Sequence, residues 1–208
     1  MAFTAVQICS NALIRLGASP IQSFEEGTDI ATTCDTIYSM KKEYMLAAYP
    51  WRFTMKYVQL SRLTTSPTAQ WTYQFTLPAD RVTAGLPTVY STSGTYAIPV
   101  QDYTIVGNVL MSHQPELWVE YQAMVDESLW APYFVELMTY VMMDELCFNV
   151  TDNAGLKQSI QYTAYGTPSE NGVGGLFGKA MNLDSRDNPT TMVLDSVLLE
   201  ARFGGTGY

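Results

Sequence analysis

Apolar residues recur at helical spacing from the first turn of the chain. Val6, Cys9, Leu13 and Leu16 follow Thr4, a residue suited to capping a helix, and Gly17 supplies a left-handed stop. Turn formers fill residues 18–27. Thr28 is then placed to cap a second helix with Ile30, Cys34, Ile37, Tyr44, Met45 and Ala48 along one side, ended by Pro50. Two helices joined by so short a link are expected to pack as an antiparallel pair.

After Trp51 the period changes. Aromatic and β-branched residues alternate with polar ones between turn-forming clusters at 64–67, 77–80 and 91–94. The alternation predicts a small antiparallel sheet with strands near 53–61, 71–76, 87–90, 96–100, 104–106, 109–111 and 117–121. Pro132, at a favoured first-turn position, opens a third helix. Its Phe134, Val135, Met138, Val141, Met142, Leu146 and Cys147 cover a broad face that should be buried. A fourth helical segment spans 154–165, a glycine-rich stretch at 166–175 reads as a flexible loop, and helix resumes over 176–184. Beyond Asn188-Pro189, the apolar segment 192–203 is compatible with one more short helix.

These patterns divide the chain into an N-terminal helical pair (1–50), an antiparallel β region (51–125), a C-terminal helical region completing the bundle (126–187) and an arm (188–208). The expected class is α+β, a helical bundle with a small antiparallel β-sheet in the middle. The longest apolar stretch, 129–143, is interrupted by Pro132 and Glu136 and falls short of the roughly 20 residues that cross a bilayer, so no membrane is expected. The N-terminus lacks the basic and apolar regions of a secretory signal, which predicts a protein made in a cytoplasm and kept there until assembly.

Charge narrows the function classes. A net charge of −9 opposes gripping nucleic acid, because phosphate binding is driven by Lys and Arg releasing counterions. Cys9, Cys34 and Cys147 are odd in number and far apart, and read as small core residues rather than a disulfide framework or metal site. The 14 Tyr, 4 Trp and 11 Met enrich the chain in residue types that anchor protein interfaces as well as cores.

Reactive constellations are scarce. The segment Gly172-Val-Gly-Gly-Leu-Phe-Gly178-Lys179 resembles a phosphate-cradling loop, but its spacing is too long. Ala180 also stands where a magnesium-holding hydroxyl belongs, and no apolar strand precedes it. His113 is the only histidine and sits in a turn, so a two-imidazole zinc site within one chain is excluded. Glu25-Glu26, Asp126-Glu127 and Asp144-Glu145 offer carboxylates for general acid and base work, yet such doublets are expected on a solvated acidic surface. No catalytic, cofactor-binding or metal residue is assigned, and no cofactor is expected.

The ordered set Ala12-Leu-Ile-Arg-Leu-Gly17, Pro20-Ile21, Phe24-Glu25-Glu26, Tyr49-Pro50-Trp51-Arg52-Phe53, Tyr73-Gln-Phe-Thr-Leu-Pro-Ala-Asp80, Val119-Glu-Tyr121 and Trp130-Ala-Pro-Tyr-Phe134 resembles the phage tail tubular protein A family. These are head-to-tail adaptors of podovirus-like phages. The resemblance implies a non-enzymatic virion component forming a ring, commonly dodecameric. That ring would lie between the portal protein and the nozzle or tail tube protein, with DNA passing through its lumen unbound. Asp80, Asp102, Glu116 and Glu120 are candidates for the lumen or a partner face, since a negative wall disfavours phosphate adhesion. The arm is expected to be loosely ordered in the free subunit and to dock on the portal through Val193, Leu194, Val197, Leu198 and Phe203. Two other readings stand beside this one: a tail-associated peptidoglycan hydrolase, and a neck completion or terminator protein of a long-tailed phage.

Overall fold

A computed structural model describes residues 3–65, 67, 70–82, 87–93 and 99–186. At its start Thr4 and Gln7 form a reciprocal capping box, with the Gln7 amide 3.3 Å from the Thr4 hydroxyl and the Thr4 amide 3.1 Å from Gln7 Oε1. The helix that follows, α1 (Ala5–Arg15), ends at Gly17, whose φ of 86° lies in the left-handed region. Thr28 caps α2 (Asp29–Ala47) through the Ala31 amide at 3.3 Å. The central element is α3 (Pro132–Thr151), with buried residues around most of its circumference. Asp152 turns the chain at φ 48° and Asn153 caps α4 (Ala154–Tyr165); α5 (Gly175–Arg186) completes the helices.

α1, α2, α4 and α5 all pack on α3. α1 meets α3 far more than it meets α2, so the first two helices are not mainly each other's partners, as their short link suggests. The reason is compositional: an all-round apolar helix offers both neighbours more area to bury than either offers the other. Arg15 reinforces the choice, pairing through both terminal nitrogens with Glu136 of α3 at 2.8 and 3.1 Å.

The β region forms two sheets where one was expected. β1 (Met55–Gln59), β7 (Trp118–Gln122) and β4 (Thr88–Tyr90) make a sheet in the order β1-β7-β4. β2 (Ser61–Arg62), β3 (Tyr73–Thr76), β5 (Tyr103–Val106) and β6 (Val109–Ser112) make a second, in the order β2-β3-β6-β5. All pairings are antiparallel. The chain crosses between the sheets at buried Leu60, whose amide bonds to Leu117 O at 2.9 Å. Phe53 and Thr54, expected to open the first strand, lie instead in the 3-10 turn Arg52–Thr54. Of the expected strand at 96–100, residues 96–98 lie outside the described residues, and Pro99 makes one bridge to Tyr90.

Trp51 joins the two halves. It is fully buried, its indole N–H donates to Met45 O at 2.8 Å, and its ring meets Phe134 of α3 and Phe177 of α5 edge-on. The three cysteines are free and buried, as small core residues should be. No helix among the described residues is long and apolar enough to cross a membrane.

Candidate functional site

A cleft of about 900 Å³ lies between α2, the C-terminal half of α3, α4 and the connector that precedes α5. α2 lends Lys41 and Tyr44, α3 lends Asp144 and Glu145, and α4 lends Tyr162 and Tyr165. The helical spacing places Tyr44 on the same side of α2 as Met45, but only Met45 is buried; Tyr44 is 63% exposed at the rim of the cleft. Tyr162 and Val173, 42% and 53% exposed, line the cleft with it.

The connector is built for close approach. The 3-10 turn Pro168–Glu170 carries its own capping box, with the Thr167 amide donating to Glu170 at 2.6 Å, and the Gly174 amide bonds to Tyr165 O at 3.0 Å. A side chain on Gly174 would stand 2.5 Å from the Glu170 carboxyl carbon, one on Gly175 would stand 2.5 Å from Thr163 O, and one on Gly178 would collide with Val173 O. These glycines therefore serve packing of the connector against α4 and α5. The stretch expected as a flexible loop is a hydrogen-bonded turn, and the Glu170 carboxylate beside Gly174 is unsuited to a phosphate.

Electrostatics concentrate on Asp144, only 5% exposed. Lys157 Nζ is 3.4 Å from Asp144 Oδ1 but donates to the Asp144 main-chain oxygen at 2.9 Å, and Gln161 reaches Oδ2 only at 3.4 Å. Oδ1 itself accepts no hydrogen bond. Burial pushes this carboxyl above its ordinary range, with Lys157 opposing and Glu145 assisting. Glu145 is held by Lys41 at 2.6 Å, and burial raises the Tyr165 phenol.

In each of the other acidic doublets one carboxylate is engaged in structure. Glu127 accepts from Tyr38 at 3.0 Å and Lys42 at 2.9 Å; burial works against its charge, but these donors keep the carboxyl below the usual range. Its neighbour Asp126 is exposed. Glu26, in the exposed link before α2, accepts from the Gln22 amide and the Thr28 hydroxyl. His113 bonds to the Thr72 hydroxyl at 2.9 Å and lies against Trp71.

Asp102 and Glu116 are exposed, while Glu120 accepts from Tyr90 and Asp80 is tied to Lys56 and Tyr121. Trp71, Tyr73, Tyr90 and Tyr103 are half-buried. Val193, Leu194, Val197, Leu198 and Phe203 lie outside the described residues. Among the described residues no cluster of His, Cys, Asp and Glu has the makings of a metal site.

One feature was invisible to pattern reading. Asp184 of α5 is fully buried, accepts from the Arg52 amide at 3.0 and 3.1 Å, and accepts from the Tyr133 hydroxyl at 2.6 Å. Its place in the sequence carries no signal, since one Asp in an amphipathic helix reads as solvent-facing.

No protein-family model matches the chain, and no curated protein matches it significantly.

Proposed function

We propose that the protein is a structural subunit of a phage head-to-tail adaptor, a ring between the portal and the nozzle or tail tube. The ordered sequence features and the acidic chain bring this reading forward. The observation that carries it is an open apolar face on α2 and α4. Met40 and Tyr44 border a groove of about 600 Å³, and Tyr44, Tyr162 and Val173 border the adjoining cleft. Met40 is 60% exposed, so three of the four side chains are more than half open to water. Adjoining exposed apolar side chains framed by charges are what contact surfaces present. A neighbouring copy seated there would make a heterologous contact, the kind that closes rings.

Light scattering tests this reading. A discrete ring-sized mass, alone or on mixing with portal protein, supports it; a monomer under both conditions overturns it. The arm adds a second check: deletion of residues 189–208 should abolish portal attachment and leave a folded subunit, and retained attachment would defeat the docking role of the arm.

The hydrolase reading draws on one specific observation. Asp144 and Glu145 line the same cleft, one held toward its protonated form and the other ion-paired, as an acid and base pair would be. Consecutive helical residues diverge by about 100°, which works against two carboxyls meeting across one bond. Turnover of peptidoglycan by the purified protein, lost in Asp144→Asn but kept in Asp126→Ala, would favour the hydrolase.

A further inference from the structure

Asn171-Gly172 is the one Asn-Gly pair in the sequence, and both residues are exposed in the connector between α4 and α5. The backbone stands in the left-handed region at each, with φ of 51° and 78°. Asparagine tolerates that conformation, and glycine adopts it freely. The amides around the pair are engaged: Asn171 donates to Pro168 O at 3.3 Å, Val173 to Glu170 O at 3.1 Å and Gly174 to Tyr165 O at 3.0 Å. The Gly172 amide between them has no acceptor among the described residues, and nothing lies within 4 Å of the place a Cβ would take there. The hydrogen bonds of the turn thus skip the main-chain nitrogen that adjoins the Asn171 side chain.

The other described asparagines are placed differently. Asn11, Asn149 and Asn182 lie inside α1, α3 and α5, where the next residue's amide belongs to the helical ladder and its side chain shields the approach. Asn153 spends its side-chain oxygen on the Leu156 amide at 3.0 Å, and Asn108 donates to Leu77 O at 3.2 Å. Among the described residues, only at 171 does an asparagine side chain with no hydrogen bond adjoin an exposed, unbonded glycine amide.

We propose that Asn171 is a site of spontaneous covalent modification, in which the Gly172 nitrogen closes on the neighbouring side-chain amide. Gly172 N gives up its proton to solvent base and bonds to Asn171 Cγ. The Cγ–Nδ2 bond then breaks, and ammonia leaves with a proton taken back from water. Water opens the resulting cyclic imide at Cγ to give aspartate, or at the main-chain carbonyl carbon to give isoaspartate; nothing is oxidised or reduced. Holding the nucleophile beside the carbonyl replaces an encounter with a ring closure, and glycine leaves the approach unshielded. Each product sets a new negative charge next to Glu170, and isoaspartate also lengthens the main chain between the bonds that hold the turn. The chemistry stays within one subunit and owes nothing to ring assembly.

The test is peptide mapping by mass spectrometry of the full chain, incubated folded in mildly alkaline buffer made with heavy-oxygen water. Trypsin releases residues 158–179, and fragmentation locates the change. Residue 171 is expected to take up labelled oxygen with loss of nitrogen at least about tenfold faster than any other described asparagine, with isoaspartate in excess over aspartate. The free peptide 166–175 should convert at a rate within about tenfold of the folded chain's, and both should slow in mildly acidic buffer, where the amide keeps its proton. Gly172→Ala should slow the reaction at least about tenfold, and the measurements on the parent chain decide the matter if that variant fails to fold. Residue 171 reacting no faster than the other asparagines, aspartate formed without isoaspartate, a folded chain that stays unchanged while the peptide converts, or an undiminished rate in folded Gly172→Ala would overturn the proposal.

Discussion

Asp184 shows how a single side chain ties this fold together. Its carboxylate stands in the core where the chain leaves α2 for the sheets, and it serves the Arg52 amide and the Tyr133 hydroxyl at once. Asp184→Ala removes the acceptor that the Arg52 amide and the Tyr133 hydroxyl share in a dry site, so a loss of about 2–4 kcal/mol is expected in denaturant unfolding. A loss below about 0.5 kcal/mol would mean that water replaces the carboxylate.

Two other carboxylates set opposite pH dependences. Asp80 is held below its ordinary range by Lys56 and Tyr121, so the folded state binds protons less readily than the unfolded chain. Its contribution is present above the unfolded value and disappears as pH falls through the folded one. Asp144 is raised, so its folded form keeps the proton longer, and stability declines as pH rises from the unfolded value through the folded one. Asp144→Asn should therefore gain stability relative to the parent at neutral pH and lose that gain in acid. Melting temperatures across pH check both, and a pH-independent difference for Asp144→Asn contradicts the assignment.

At the scale of elements, the connector between α4 and α5 depends on glycine for two reasons. Gly175 has a φ of 54°, and a methyl there would meet Thr163 O at 2.5 Å. Gly175→Ala is expected to lower stability by about 1–3 kcal/mol, from strain and collision together. Gly155→Ala, inside α4 and 3.4 Å from Asn153 Oδ1, should be neutral or raise stability by up to about 1 kcal/mol through helix propensity. Thermal melts of the two variants moving alike would refute this account of the connector.

The helices were legible because their signals are local: Thr4, Thr28 and Pro132 mark their starts, and spacing marks their faces. Division of the strands into two sheets was not, since alternation identifies a strand's faces but not its neighbours, and Leu60 looks like any other apolar position. The cleft was hidden for a related reason. Tyr44 shares its spacing with buried residues, and Asp144 reads as one polar position on an apolar helix. Their meeting depends on how α2 and α4 pack on α3.

For the whole molecule, the described residues place helices around α3 and two small sheets beside them, joined at Trp51. On the reading proposed here, the purpose of that body is contact: an apolar face for a neighbour and an acidic exterior that DNA passes without adhering. The most direct measurement is an electron-microscopic reconstruction of the assembled particle. The account predicts a closed ring of this chain between the capsid vertex and the tail, with a neighbouring chain over Tyr44 and Tyr162. Particles with that position filled by another protein, or copies of this chain whose α2 and α4 face stays bare, would contradict it.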